Sequence, residues 1–283
     1  MTSANEEQAE FWAGVAPIWL EIEDELEEIS GVPGRMAMDR LGLQPGLRVL
    51  DLGCGTGRTT LRLAERVAPT GRAIGVDIAA EMLVRAREHG AEAEATNVDF
   101  VHADVQAHDL GEGQFDAAYS RFGVMFYTDP VAAFSNVNRA TRPGASLSFV
   151  CWQPLTANDS MLVPGMAAVS VVGKMPPMPG PEEPGPFSFA DPDRVNRILA
   201  SAGFTDIDIE PHSDSVVAAD DRIPEVAALA TRVGAVRELL KDADQATRER
   251  VRAAIEEALR ARVEDGQARA SRSILLVTAR QPS

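Results

Sequence analysis

Val49-Leu50-Asp51-Leu52-Gly53-Cys54-Gly55-Thr56-Gly57 is the stretch on which the reading of this chain turns. An apolar run of strand type gives way to glycines at alternate positions, and a helical pattern over residues 59–67 follows. Glycines permit a tight turn and a close backbone approach, while the helix that begins there aims its positive end at the turn. Such an arrangement suits an adenosine-containing ligand; the plainer reading is a strand–helix turn whose glycines are incidental. A dinucleotide fingerprint would carry a further glycine where this chain has Arg58, so the turn fits a pyrophosphate poorly.

Outward from that turn the pattern alternates. Strand-like runs at 48–52, 73–76, 98–102, 115–120, 146–152, 206–210 and 272–279 are interleaved with helical ones at 59–67, 80–89, 130–141 and 192–202. Strands alternating with helices predict an α/β fold with a doubly wound, mostly parallel, seven-stranded sheet. In front of it, Phe11, Trp12, Val15, Ile18, Trp19 and Ile22 recur at helical steps, and Gly31, Pro33 and Gly34 predict a break before a second helix at 35–43. The prolines crowded between 176 and 186 predict a loop of extended character over 154–186. Helical stretches at 224–240 and 245–263 precede the last strand. Their apolar faces (Val226, Leu229, Val233, Val236 and Leu240; Val251, Ile255, Leu259 and Val263) could pack together, close a site or meet a second subunit, as in a homodimer.

No linker separates two domains, so the expected organisation is one domain over 1–283. Within it lie a helical cap at 1–45, a ligand-binding core at 46–153, a proline-rich insertion at 154–190, the rest of the core at 191–216 and 271–283, and a helical lid insertion at 217–270. Both insertions exceed ordinary connections and are expected to form the lid.

Two carboxylates follow the glycine turn. Asp77 closes the second predicted strand, in Ile74-Gly75-Val76-Asp77, at about the spacing of 20 residues from which an acid reaches both ribose hydroxyls. Its plainer reading is a helix N-cap. Asp104 lies just past the third strand, where it could reach an adenine edge or serve as an ordinary turn aspartate. Open α/β sheets bind ligands at the carboxyl ends of their strands, so these sites on successive strand ends count for more together.

The bulk properties narrow the partners. With 27 basic and 43 acidic side chains the formal charge is −16, and no basic stripe offsets it, so a nucleic-acid partner is disfavoured. No apolar run approaches the roughly 18–20 residues of a membrane helix, and the polar N-terminus does not resemble a signal peptide, which leaves a cytoplasmic location as the expectation. The two cysteines, Cys54 and Cys151, and four scattered histidines show no metal-ligand spacing, so no metal is expected.

Residues 47–152 closely resemble the class I S-adenosylmethionine-dependent methyltransferases, and more narrowly the bacterial group related to ubiquinone/menaquinone biosynthesis methyltransferases. The matching segments are Val49–Gly57, Gly-Val-Asp-Ile at 75–78, His-Ala-Asp-Val at 102–105, Phe-Asp-Ala-Ala-Tyr-Ser-Arg-Phe-Gly at 115–123 and Arg-Ala-Thr-Arg-Pro-Gly at 139–144. The resemblance implies a Rossmann-like fold and S-adenosyl-L-methionine as methyl donor. It places Gly53, Cys54 and Gly55 under the donor's methionine portion and ribose, and Asp77 on the ribose hydroxyls. Ile78 and Met82 would pack on the adenine, and Asp104 would bond its amino group beside the Val105 backbone. Ser120 would present its carbonyl to the donor's ammonium with Arg121 nearby, and Asp51 would organise the turn from within.

The acceptor is less legible. Where the quinone enzymes carry a tyrosine near the N-terminus this chain has Trp19, and where they carry an arginine after the strand-four motif it has Met125. Both changes remove polar groups suited to a phenolate-like acceptor. Trp12, Trp19, Met125, Phe126 and Tyr127 suggest instead an apolar, aromatic-lined cavity for a small molecule of secondary metabolism; the plainer reading is core packing. His212, just after strand six, is a candidate base, although a lone histidine is more often a surface or capping residue. Two further readings stay open: a nicotinamide-dependent oxidoreductase of the same general fold, against which Arg58 speaks, and a non-catalytic donor-binding scaffold.

Overall fold

A computed structural model describes residues 6–283. Its described residues cluster into two compact units: residues 6–152 with Pro181–Pro211 and Ile274–Ser283, and Gln153–Gly180 with His212–Ser273.

The first unit holds the sheet. Its strands are β1 (Arg48–Leu52), β2 (Arg72–Asp77), β3 (Val98–His102), β4 (Phe115–Arg121) and β5 (Thr141–Trp152). Two long strands, β6 (Thr205–Ala219) and β8 (Gln267–Arg280), contribute their 205–211 and 274–280 ends to this unit. The order is β3-β2-β1-β4-β5-β8-β6, with the two-residue β7 (Val263–Glu264) pairing β8 as an eighth strand. β1 to β5 pair in parallel and β8 runs antiparallel to β5. This is the expected doubly wound, mostly parallel α/β sheet. The strand order reverses between β1 and β4, and at such a switch point the carboxyl ends of the strands open a crevice.

The sequence dictates the layers on either side. β1 is buried over Val49, Leu50, Asp51 and Leu52, as a central parallel strand covered on both faces must be. One face carries Leu50, Leu52, Phe134 and Phe149 with α5 (Pro130–Ala140) and α7 (Pro192–Ser201); the other carries Val49, Leu63, Val67 and Tyr119 with α3 (Arg58–Val67). Phe122 and Trp152 pack against both cores, because they stand at the sheet's end where the two faces meet. Residues 181–190, expected within the proline-rich insertion, belong to this unit, and Phe189 is buried in its core.

At the N-terminus, α1 (Glu6–Glu21) is followed by α2 (Glu23–Arg40), which runs without interruption through Gly31, Pro33 and Gly34. The predicted break is therefore absent. The reason is tertiary: a Cβ on Gly34 would lie 2.7 Å from Arg121 Cδ and 2.8 Å from the Tyr119 hydroxyl, and that hydroxyl donates to the Gly34 carbonyl at 3.0 Å. Glycine here admits a close helix–strand approach that outweighs its poor helix propensity.

The second unit is a small helical core. Helices α6 (Asp159–Val172), α8 (Ile223–Ala230), α9 (Gly234–Leu239) and α10 (Gln245–Arg260) pack through Ala168, Ile223, Ala227, Val236, Leu240, Val251, Ile255 and Leu259. Val251, Ile255 and Leu259 fall four residues apart on one stripe of α10, and Asp244 caps its start by accepting from Thr247 N at 2.8 Å. Of the three fates open to the two apolar faces, packing on each other is observed. The loop predicted over 154–186 instead contains α6, a 14-residue helix that carries Pro164 inside it. The crowded prolines lie beyond the helix end at Gly173 and misled the reading of the apolar residues before them.

Candidate donor-binding site

The site grows from the β1–α3 turn. Gly53, Gly55 and Gly57 all adopt positive φ (67°, 54° and 76°), a region that side-chain-bearing residues avoid. Gly57 is also fixed by packing, since a Cβ there would stand 2.7 Å from the Phe100 ring and 2.8 Å from Ala86. Beneath the turn, Asp51 is fully buried, and one carboxylate oxygen accepts from both the Thr59 and Thr60 hydroxyls at 2.7 Å. Burial pushes its carboxyl up to about 6 despite those two hydroxyls. Asp51 thus pins the first turn of α3 to the end of β1 from inside, as expected of an organiser.

Asp77 ends β2 behind the turn. Its Oδ2 accepts from Gly55 N at 2.7 Å and its Oδ1 from Ala79 N at 2.8 Å. The helix-cap and ligand readings of Asp77 are thereby compatible. A carboxylate offers about four acceptor positions, so two backbone bonds leave one on each oxygen for a vicinal diol. Burial raises its carboxyl, and the N–H groups of Ala79, Gly55 and Ile78 counter that. A Cβ on Gly55 would meet nothing within 4 Å, so the turn is open on its outer side.

At the end of β3, Asp104 accepts from Gln106 N at 2.9 Å and from its side-chain amide at 3.2 Å and 3.3 Å. The Gln106 side-chain oxygen, Oε1, in turn accepts from Asp129 N at 2.6 Å and the Thr128 hydroxyl at 3.1 Å. One glutamine therefore ties the tip of β3 to the segment that follows β4. In that segment the Tyr127 hydroxyl is buried and has no hydrogen-bond partner among the described residues. Burial, then the charges of Asp104, Asp77 and Asp51, push this phenol well above its usual range. Asp77 bonds Gly55 N through its side chain, and its own carbonyl accepts from Ala103 N at 3.0 Å, so Gly55, Asp77 and Asp104 lie at adjoining strand ends.

The remaining expected residues divide. Ser120 is buried and donates to the Leu52 carbonyl at 2.7 Å, joining β4 to β1 beside the turn. Cys54 is buried, with its thiol pushed well up by burial and the nearby acids Asp77 and Asp51. The Ile78 carbonyl accepts from or faces the His102 ring at 2.9 Å. Met82 is buried with Ala16 and Ala79, under Trp12, Trp19 and Leu20. Trp12 and Trp19 therefore stand over the segment expected to face adenine, and Trp12 meets Phe126 edge-on at 4.9 Å. Val105 lies in the main core, and its carbonyl accepts from Asn136 at 2.7 Å. Met125 is likewise a core residue, 1% exposed, whose carbonyl accepts from Gly185 N and the Ser188 hydroxyl. His212 falls in the second unit, where its carbonyl accepts from Gln153 at 3.4 Å.

Arg121, expected near the donor's ammonium, is held by α2. Its guanidinium donates to Glu27 of α2 at 2.7 Å, and Arg62 pairs with the same carboxylate. Burial raises Glu27, but the two guanidiniums prevail and hold it below its usual range. One turn earlier Glu23 faces Arg58 (3.3 Å), Arg85 (3.1 Å) and His89 (3.3 Å), while Asp24 pairs with Arg58 at 2.6 Å. Arg58 at the start of α3 is thus an anchor for α2. The four-residue step from Glu23 to Glu27 was visible in the sequence, but nothing local named its partners. Phe122 was also missed: it adopts a left-handed φ of 60° and stacks on Trp152 with centroids 4.1 Å apart.

These residues fit an adenosyl group: Gly55 is open on its outer side, and Asp77 beside it is a capped carboxylate with spare acceptor positions at the carboxyl end of the sheet. The chain is similar to known methyltransferases. Residues 49–144 match the methyltransferase domain family. The demethylmenaquinone methyltransferase of Staphylococcus aureus is 26% identical over 193 residues, covering 65% of this chain and 78% of that protein. A methyltransferase structure from Bacillus halodurans superposes with a TM-score of 0.55 at 18% identity, over 88% of this chain and 98% of that one. A phosphoethanolamine N-methyltransferase of Haemonchus contortus in complex with S-adenosyl-L-methionine gives 0.54 at 19% identity over 88% of this chain. The present chain spans about half of that protein's length, 52%.

Proposed function

We propose that this chain, a class I S-adenosylmethionine-dependent methyltransferase related to the enzymes of quinone biosynthesis, methylates a small, flat and partly apolar organic molecule by in-line transfer, releasing S-adenosylhomocysteine. When bound, the donor supplies an already activated methyl group on its sulfonium. The chain's own residues then need only bind, orient and exclude water. Asp77 and Asp104 would hold the adenosyl portion, the Gly53–Gly55 backbone the remainder, and Trp12 and Trp19 would cover the adenine side. In the transfer the carbon–sulfur bond breaks as the bond to the acceptor forms, and the acceptor's proton, where it has one, leaves to solvent or a base.

The observation that carries the acceptor class is the Phe122–Trp152 stack. Its rings lie 10° from parallel at the ends of β4 and β5, and Phe122 holds a backbone conformation that a bulky residue rarely adopts. Strain of this kind clusters at ligand sites and costs about 1–3 kcal/mol. The stack supports an apolar, planar acceptor beside the donor. The relative's printed name suggests a demethylmenaquinone-like ring as a second reading. Trp19, at a position where the resemblance places a polar group, weighs against that ring.

A labelled-methyl assay over planar phenols, quinols, aromatic amines and aliphatic acids tests the proposal. Turnover confined to planar acceptors, with KM raised roughly tenfold in Trp152→Ala and S-adenosylhomocysteine affinity unchanged, is the expected result. Turnover on aliphatic acids alone, or a Trp152→Ala variant with wild-type KM, would refute the acceptor class.

A further inference from the structure

We propose that the Tyr127 hydroxyl is a donor-contact group, which bonds the adenosyl portion of S-adenosylmethionine beside Asp104 and has its hydrogen bond completed only on binding. This rests on the donor-site reading above and moves Tyr127 from the acceptor cavity, where sequence patterning put it, to the donor side.

Geometry carries the inference. The Tyr127 ring packs edge-on against Phe134 with centroids 6.1 Å apart, a contact that phenylalanine would make equally well. Its hydroxyl oxygen is buried without a partner among the described residues, which weakens the free protein relative to a plain phenyl ring. A tyrosine at this position is therefore an unfavourable choice for folding alone. The chain just after it is held by Gln106, which accepts from Thr128 and Asp129 while donating to Asp104. The phenol thus belongs to a segment tied through Gln106 to the carboxylate expected at the adenine edge, and the charges of Asp104 and Asp77 both reach it. Burial above all, and then those charges, keep it a neutral O–H. A neutral hydroxyl among carboxylates can donate to a ring nitrogen or a ribose oxygen, whereas the carboxylates can only accept. The two kinds of group together would read both the donors and the acceptors of an adenosyl group.

Tyr127→Phe tests this in the full chain by thermal unfolding without ligand and by calorimetric titration with S-adenosylhomocysteine and with adenosine. The expected result is free-state stability equal to or above wild type. Affinity should fall roughly tenfold for both ligands, equivalent to about 1.4 kcal/mol. An unchanged affinity for S-adenosylhomocysteine overturns the inference while leaving the donor site standing, because wild type still binds. A loss seen with S-adenosylhomocysteine but not adenosine overturns the placement at the adenosyl portion. A clear drop in free-state stability shows the hydroxyl to be structural and also overturns it. Failure of wild type itself to bind S-adenosylhomocysteine sinks the donor-site reading first, and this inference with it.

Discussion

The two compact units treat buried polar atoms in opposite ways. Gln8 Oε1, Glu23 Oε2, Asp51 Oδ1, Arg58 Nε, Tyr127 Oη, Asn138 Nδ2, Ser148 Oγ and Arg194 Nε are buried without partners among the described residues, and all lie in the first unit. The second unit shows none among its described residues. There Asn158, fully buried, donates to the Gln153 and Pro154 carbonyls and accepts from Ser273 N, and the buried Arg272 grips Asp214 with two donors. Natural proteins complete nearly all such bonds, so a concentration of exceptions calls for a reason. In the first unit four of them (Glu23, Asp51, Arg58 and Tyr127) belong to the strand-tip site or to the α2 anchor beside it. That unit gives up local stability where a ligand is to bind, while the second is built for packing.

The sharpest break of this contrast comes from the second unit's core. Ile255 is fully buried among Val251, Leu259 and the helices facing α10. Ile255→Ala should lower unfolding stability by about 2–5 kcal/mol, the range for removing a large aliphatic side chain from a packed core. Denaturant unfolding measures this, and calorimetry on the folded variant should return the wild-type affinity for S-adenosylhomocysteine. A variant that stays stable but loses ligand affinity would erase the distinction between a packing unit and a binding unit.

A second effect sharpens it from the other side. The Asp51 carboxyl titrates near 6 when folded against 3.8 in its ordinary environment, and burial is the main cause. The folded chain therefore holds a proton that the unfolded chain releases between those values. The associated stability is fully present below about pH 4, declines as pH rises, and is gone above about pH 6. The shift corresponds to on the order of 3 kcal/mol. Asp51→Asn cannot ionise, so urea unfolding from pH 4 to 7 should show wild type losing about that much relative to the variant. Parallel profiles would mean that the Thr59 and Thr60 hydroxyls fully offset the burial of the charge.

The same contrast explains what the sequence disclosed. The core strands were legible because burial on both faces demands apolar runs, and the glycine turn because positive φ at 53, 55 and 57 demands glycine. Asp51, Asp77 and Asp104 were legible as residue types at strand ends. Long-range pairings were not. The continuity of α2 depends on Tyr119 and Arg121, roughly 85 residues away from Gly34, and the left-handed Phe122 on a stack with Trp152. The existence of a second unit depends on α6 joining α8, α9 and α10 across an intervening segment of the first unit. Local pattern also favoured Met125 for a cavity, and its burial with a carbonyl bonded to Ser188 places it in the core instead.

The smallest of these effects bears most directly on the binding side of the contrast. Asp77→Ala removes a carboxylate that holds Gly55 N and Ala79 N at 2.7 and 2.8 Å. Two consequences follow from one deletion. The free protein loses the cap on both N–H groups, and the ribose hydroxyls lose a charged acceptor. Hydrogen bonds to a charged group contribute about 1.5–3 kcal/mol, so affinity for S-adenosylhomocysteine should fall by on the order of 10- to 150-fold. Asp77→Asn separates the two consequences, because its amide oxygen can still accept from one backbone N–H while the charge is gone. If the carboxylate acts on the ribose, the asparagine variant keeps most of the free-state stability yet loses most of the affinity. If Asp77 serves only as a cap, affinity survives in both variants and tracks the folded fraction alone, and the turn would then be as purely structural as the helical core of the second unit.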